Sequence, residues 1–136
     1  KDGAVALAIY PSIKEDAVVG IDVERERISA QLAPKIAPNE DLIDLSKQSG
    51  LDKEQVVALC FSAKETIYKA IYSSLTGKIG FSNVTVTRIE SEDLGGKITI
   101  KSEHVDSLLT KRPNLTIFFR RIKTPSRLLI LTFVKI

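Results

Sequence analysis

Between residues 52 and 75, apolar side chains recur at Val56, Leu59, Cys60, Ala63, Ile67, Ala70 and Ile71. At 100° per residue they form one wide stripe, and a helix with such a stripe has to bury it against another layer. Asp52 followed by Gln55 makes a capping-box start, so the spacing predicts a long helix from about Asp52 to Leu75. Elsewhere the period is two. AVALAIY (4–10) and AVVGIDVE (17–24) precede the helix as strands. FSNVTVTRIE (81–90), KITIKS (97–102), NLTIFFRRIK (114–123) and RLLILTFVKI (127–136) follow it, with turns at LGG and TPS. Residues 26–50 are interrupted by Pro34 and Pro38 and read as one or two short helices and loops, and a short helix is expected over 103–111. The fold class is α+β, a long helix packed on a mainly antiparallel sheet.

Composition narrows the function classes. The chain has 136 residues, 43% of them hydrophobic, enough for one domain with a real core. It has no apolar run of about 18 residues, so no membrane span is expected. A single cysteine, Cys60, excludes an internal disulfide and a multi-cysteine zinc site, and a cytoplasmic location is the simplest expectation. The net charge of +3 is too mild to point to nucleic acid by itself. The chain contains no methionine, which fits a processed chain or a fragment.

The unusual feature is FSAKETIYKA (61–70), where Lys64, Glu65 and Lys69 interrupt the apolar helix. Glu65 and Lys69 are four apart and share a face; as an exposed pair they would add only about 0.2–0.5 kcal/mol to the helix. Yet Glu65 lies among Phe61, Tyr68 and Tyr72, and Lys64 lies inside the edge of the apolar stripe. Half-buried charges are costly unless they meet a charged partner, so a ligand bringing a metal and phosphates would explain them. The strand VVGIDVE supplies a second set. Asp22 and Glu24 point to one side, about 6.5–7 Å apart along the strand. With a carboxylate from a neighbouring helix they would make a hard-oxygen site suited to Mg²⁺; an ordinary wet strand face would look the same. Gly20 on that side would let a ligand come close.

Other candidates are weaker. His104 is the sole histidine, and no Ser/His/Asp or Cys/His set can be assembled around it. TGKIG (76–80) lacks the spacing of a phosphate-binding Walker loop and reads as a helix stop. Cys60 reads as a small core group. The basic hairpin with Arg120, Arg121, Lys123 and Arg127 reads as a solvated sheet edge that resists strand pairing.

GIDVE at 20–24, followed about forty residues later by FSAKETIYKA, resembles the 4′-phosphopantetheinyl transferases. The resemblance is closest to their larger, Sfp-type branch and to its members serving siderophore synthetases such as enterobactin synthase. That branch carries a G-[IV]-D-[IV]-E strand and a [FW]-[ST]-x-K-E-[AST]-x-x-K-A helix. The resemblance implies a transferase that moves the 4′-phosphopantetheine arm of coenzyme A to a serine of an apo acyl-, peptidyl- or aryl-carrier protein. It implies Asp22, Glu24 and Glu65 as Mg²⁺ ligands, Glu65 also as base for the carrier serine, and Lys64 and Lys69 as holders of the coenzyme A phosphates. The family fold is a pseudo-twofold enzyme of two similar halves. Residues 1–136 would then be the catalytic domain and mostly the C-terminal half, the chain opening where an upstream S-x-S-H motif should have just ended. The segment 26–50, with Arg25 and Arg27 beside it, would help receive the carrier protein. Two rivals remain. The short, trimeric holo-acyl-carrier-protein synthase of fatty-acid synthesis lacks the counterpart of Glu24 and starts at its Asp motif. A non-catalytic nucleic-acid-binding module using the basic hairpin would leave GIDVE unexplained.

Overall fold

The apolar stripe of the long helix finds its cover in a five-stranded antiparallel sheet. The computed structural model describes residues 19–71, 81–102 and 114–135. The expected strand at 4–10, the helix at 103–111, TGKIG and His104 lie outside them. The described elements are strand β1 (Val19–Arg25), helices α1 (Ala33–Ile36), α2 (Asn39–Ser49) and α3 (Lys53–Ile71), then strands β2 (Val84–Glu92), β3 (Gly95–Ser102), β4 (Asn114–Lys123) and β5 (Leu128–Lys135). The sheet order is β1-β5-β4-β3-β2, with every neighbouring pair antiparallel. The class is α+β, as the periodicity predicts.

Helix boundaries follow local chemistry. Asp52 Oδ1 accepts from Gln55 N at 3.1 Å while Gln55 Oε1 accepts from Asp52 N at 3.2 Å, the reciprocal pair of a capping box. Helix α2 starts after Pro38 and stops at Gly50, whose φ of 71° suits a residue without Cβ. Val56, Leu59, Cys60, Ala63, Ile67, Ala70 and Ile71 are all buried. They pack with inward sheet residues such as Ile98, Ile117, Phe119 and Ile130 in one core. In β2 a register shift between Val86 and Arg88 inserts Thr87, which lets Ile89 rejoin Val84 and Val86 on the buried face.

Strand β1 runs against the simple expectation for its polarity. Its charged side faces the protein: Gly20 and Asp22 are buried and α3 lies across them, whereas Ile21 and Val23 are only half-buried. The physical reason is Gly20. A Cβ there would lie 2.0 Å from the Thr66 carbonyl oxygen and 2.8 Å from Ala70 Cβ. Gly20 therefore admits the helix backbone, not a ligand. On the opposite face of the sheet Phe118 stacks on Phe133, ring centroids 5.7 Å apart.

The basic hairpin is also placed differently from the expectation of an edge. Strands β4 and β5 are internal, and the sheet edges among the described strands are β1 and β2. Arg121 turns inward. Its Nε donates to Glu26 Oε1 at 3.1 Å, its Nη2 donates to Ser91 Oγ at 2.9 Å, and its Nη1 donates to the carbonyl of Glu92. The guanidinium carbon lies 5.6 Å from the Phe119 ring centroid. Arg121 thus ties the β2–β3 turn to the end of β1.

Candidate active site where α3 crosses β1

The two motifs, forty residues apart in sequence, meet where α3 passes over β1. Asp22 is 7% exposed, and its two carboxylate oxygens have different partners. Oδ1 accepts from Lys69 Nζ at 2.6 Å, and Oδ2 accepts from Ser62 Oγ at 2.7 Å. Both donors belong to FSAKETIYKA. Lys69 therefore pairs with a carboxylate from another element and not with Glu65, one turn away on its own helix.

Behind Asp22 lies a set of buried hydroxyls. Thr132 of β5 is the register partner of Asp22 in β1. Its Oγ1 is 2.8 Å from Ser62 Oγ, 2.5 Å from Thr66 Oγ1 and 3.2 Å from the Ser62 carbonyl. Each hydroxyl has one proton. Ser62 donates its proton to Asp22, so in the Ser62–Thr132 contact Thr132 is the donor. Thr132 shares that proton with the Ser62 carbonyl, and Thr66 then donates to Thr132. The chain of hydroxyl donors therefore ends on Asp22 Oδ2. No buried side-chain polar atom among the described residues lacks a partner.

The remaining expected residues are distributed around this point. Glu24 shares the helix-facing side of β1 with Asp22 and is half-buried, and its Oε1 accepts from Arg25 N at 2.9 Å. Glu65 is half-buried on the flank of α3, about 60° around the helix from Ser62 and about 40° from Lys69. It has no hydrogen bond or ion pair with a described residue. Lys64 takes another direction. It lies about 140° around α3 from Lys69, is 6% exposed, and its Nζ donates to the Ile36 carbonyl at 2.7 Å. Burial pulls its ammonium below the usual lysine pKa. It borders a separate cavity of about 350 Å³ between α1, α2 and β2. The structure brings Asp22 and Lys69 together, flanks them with Glu24 and Glu65, and holds Lys64 on another side of α3.

A family model of the 4′-phosphopantetheinyl transferase superfamily matches residues 18–121. The chain belongs to that superfamily. The match spans β1 through most of β4, including both motifs. No curated protein sequence matches the chain significantly. Superfamily membership makes the chain a transferase acting on carrier proteins, with coenzyme A as the donor of the phosphopantetheine arm. No described helix is long and apolar enough to cross a membrane.

The superfamily implies a divalent metal, and the donor set can be tested against that. Among the described residues no group of three His, Cys, Asp or Glu side chains is gathered at ion-holding distance. Mg²⁺, however, is commonly bound by one or two carboxylates together with substrate phosphates and waters, without an all-protein cage. Asp22 suits that mode. Its Oδ1 already engages a cation, the Lys69 ammonium, while Ser62 fixes the other oxygen. Glu24 lies two residues further along β1 and Glu65 on the flank of α3, and the three carboxylates are not gathered at ion-holding distance.

Sequence reasoning missed the supporting hydroxyls. Ser62 and Thr66 occupy small-polar positions of the helix motif, and Thr132 is a lone hydroxyl in the apolar run LLILTFV. That isolation was the available signal.

Proposed function

We propose that this chain catalyses Mg²⁺-dependent transfer of 4′-phosphopantetheine from coenzyme A to a serine of an apo carrier protein, as an Sfp-type member serving siderophore or other nonribosomal peptide synthesis. The observation that carries the reading is the meeting of the two motifs at Asp22 and Lys69, 2.6 Å apart. In this reading Asp22, Glu24 and Glu65 hold the metal, and Lys69 holds a phosphate of coenzyme A through a charge-assisted hydrogen bond. The metal, when bound, neutralises charge developing on the pyrophosphate. Glu65 takes the proton of the attacking serine; a half-buried carboxylate with no hydrogen bond or ion pair among the described residues suits that task. Lys64 pins Ile36 and with it the proline segment, which lies on the side proposed to receive the carrier. The catalytic half of a two-half enzyme is the proposed extent of residues 1–136.

Recognition of an acidic carrier has a matching surface. Arg25, Arg27 and Arg127, with Glu26, Ser126 and Leu128, line a cavity of about 550 Å³ beyond the end of β1. Arg27 is anchored there by Asp52 at 2.6 Å. Arg121, spent on Glu26, faces inward and adds nothing to a nucleic-acid surface.

The test is the mass increase of an apo carrier protein incubated with the enzyme, coenzyme A and Mg²⁺. Glu65→Gln keeps the side-chain shape and is expected to lower turnover by at least ~10²-fold, the lower end for a general base. A folded Glu65→Gln protein with near-normal turnover refutes the assignment of the base. Transfer to peptidyl and aryl carriers separates the Sfp-type reading from the fatty-acid synthase activator, which would modify acyl carriers alone.

A further inference from the structure

The cation that Asp22 holds is part of the protein itself. Lys69 Nζ lies 2.6 Å from Oδ1, while the other oxygen is taken by Ser62. The Asp22 carboxylate is 8% exposed, so it has little access to water as an alternative partner; the Lys69 side chain is 48% exposed and can swing outward. The pair therefore has one fixed member and one movable member. Asp22 is held by β1 pairing, by Ser62 and by the hydroxyls behind it. Lys69 is held by the end of its own flexible stem.

We propose that Lys69 is a placeholder cation that sets the order of binding: a divalent cation and the Lys69 ammonium compete for Asp22, and a phosphate group resolves the competition by drawing Lys69 away. This rests on the metal assignment made above and goes beyond it. Two positive groups cannot share Oδ1 at contact distance without strong repulsion. A bare divalent cation must therefore displace Lys69 and leave its ammonium without the carboxylate. A cation that arrives with a polyphosphate brings Lys69 a new anionic partner at the same moment. The protein consequently binds the cation–phosphate complex as a unit in preference to either part, and the coupling is reciprocal between the two ligands. The same side chain thus opposes the metal when alone and assists the donor when both are present, which a residue that merely grips phosphate would not do.

The experiment measures binding directly, without turnover. Mn²⁺ serves as the probe, its binding to the protein followed by electron paramagnetic resonance with and without saturating coenzyme A. Lys69→Met is expected to raise the affinity for Mn²⁺ alone by about threefold or more, the factor set by losing an ion pair of surface strength, while weakening coenzyme A binding. Lys69→Arg keeps the cation and is expected to leave the low Mn²⁺ affinity in place. Asp22→Asn is expected to abolish Mn²⁺ binding in both conditions, which locates the ion. Unchanged or weaker Mn²⁺ affinity in folded Lys69→Met, with Asp22→Asn still abolishing binding, overturns the placeholder and leaves the metal assignment standing. If Mn²⁺ binding, even with coenzyme A present, is indifferent to Asp22→Asn, both fall together.

Discussion

Gly20→Ala is the smallest change that should disturb both the fold and the site. The added Cβ would lie 2.0 Å from the Thr66 carbonyl oxygen and 2.8 Å from Ala70 Cβ. Ordinary contact begins near 3.4 Å, so strand and helix must separate by about 1.4 Å along that line. The obstacle is helix backbone, which has no rotamer to escape into. The cost is expected near ~3 kcal/mol, the upper end for overpacking a well-filled core. For a chain of this size that lowers the melting temperature by roughly 10 °C. Separation would also lengthen the Asp22–Ser62 and Asp22–Lys69 contacts, two residues along the strand, so binding of Mn²⁺ with coenzyme A should weaken as well. Gly50→Ala is the control. Nothing lies within 4 Å of a Cβ there, and only its left-handed φ of 71° opposes the change, a cost of about 1 kcal/mol with no effect on the site. Thermal melting and Mn²⁺ titration of both variants decide the matter. A Gly20→Ala protein melting within about 2 °C of the parent, less than 1 kcal/mol for a chain of this size, would refute the close crossing of α3 and β1.

Two further outcomes are expected. Burial pushes the Cys60 thiol up to about 12, so the native protein should resist maleimide at pH 8 and react only when unfolded. The same shift adds stability that is complete below about pH 9 and is lost as the pH rises from there toward 12, because only the unfolded thiol ionises in that window; rapid labelling of native protein would contradict it. Arg121→Met removes the inward guanidinium and leaves Glu26, 13% exposed, with only Gln55 as a side-chain partner among the described residues. Denaturant unfolding should show a loss of about 3 kcal/mol, partly recovered by adding Glu26→Gln, and a loss below about 1 kcal/mol would show that the pair is not buried as described.

Much of this architecture is legible along the chain because its causes are local. The stripe from Val56 to Ile71 repeats with helical period, the Asp52–Gln55 capping box is a matter of four residues, and the alternation in β2 through β5 marks one inward face. The site was partly legible for a different reason. Asp22, Glu65 and Lys69 are charges placed where local pattern alone would put apolar or solvated groups, and such conflicts mark function more often than structure. Periodicity could not say which side of β1 would be covered. Its apolar residues invited burial of Val19, Ile21 and Val23, yet the helix settles on the side of Gly20 and Asp22.

By itself, then, the sequence determined the element types, the helix start, the core positions of α3 and the two motifs that mark a phosphopantetheinyl transferase. Tertiary structure decided who meets whom. Lys69 could pair with Glu65 one turn away or with Asp22 forty-seven residues away, and no local rule chooses between them. Strand order made β4 and β5 internal, which turned Arg121 from a surface charge into the partner of Glu26. Helical rotation put Lys64 on Ile36 and away from Lys69, although only five residues separate the two lysines. In each case the deciding quantity is the distance between side chains on different elements. That distance is set by how closely backbones can approach, and at the centre of this site it is set by the missing Cβ of Gly20.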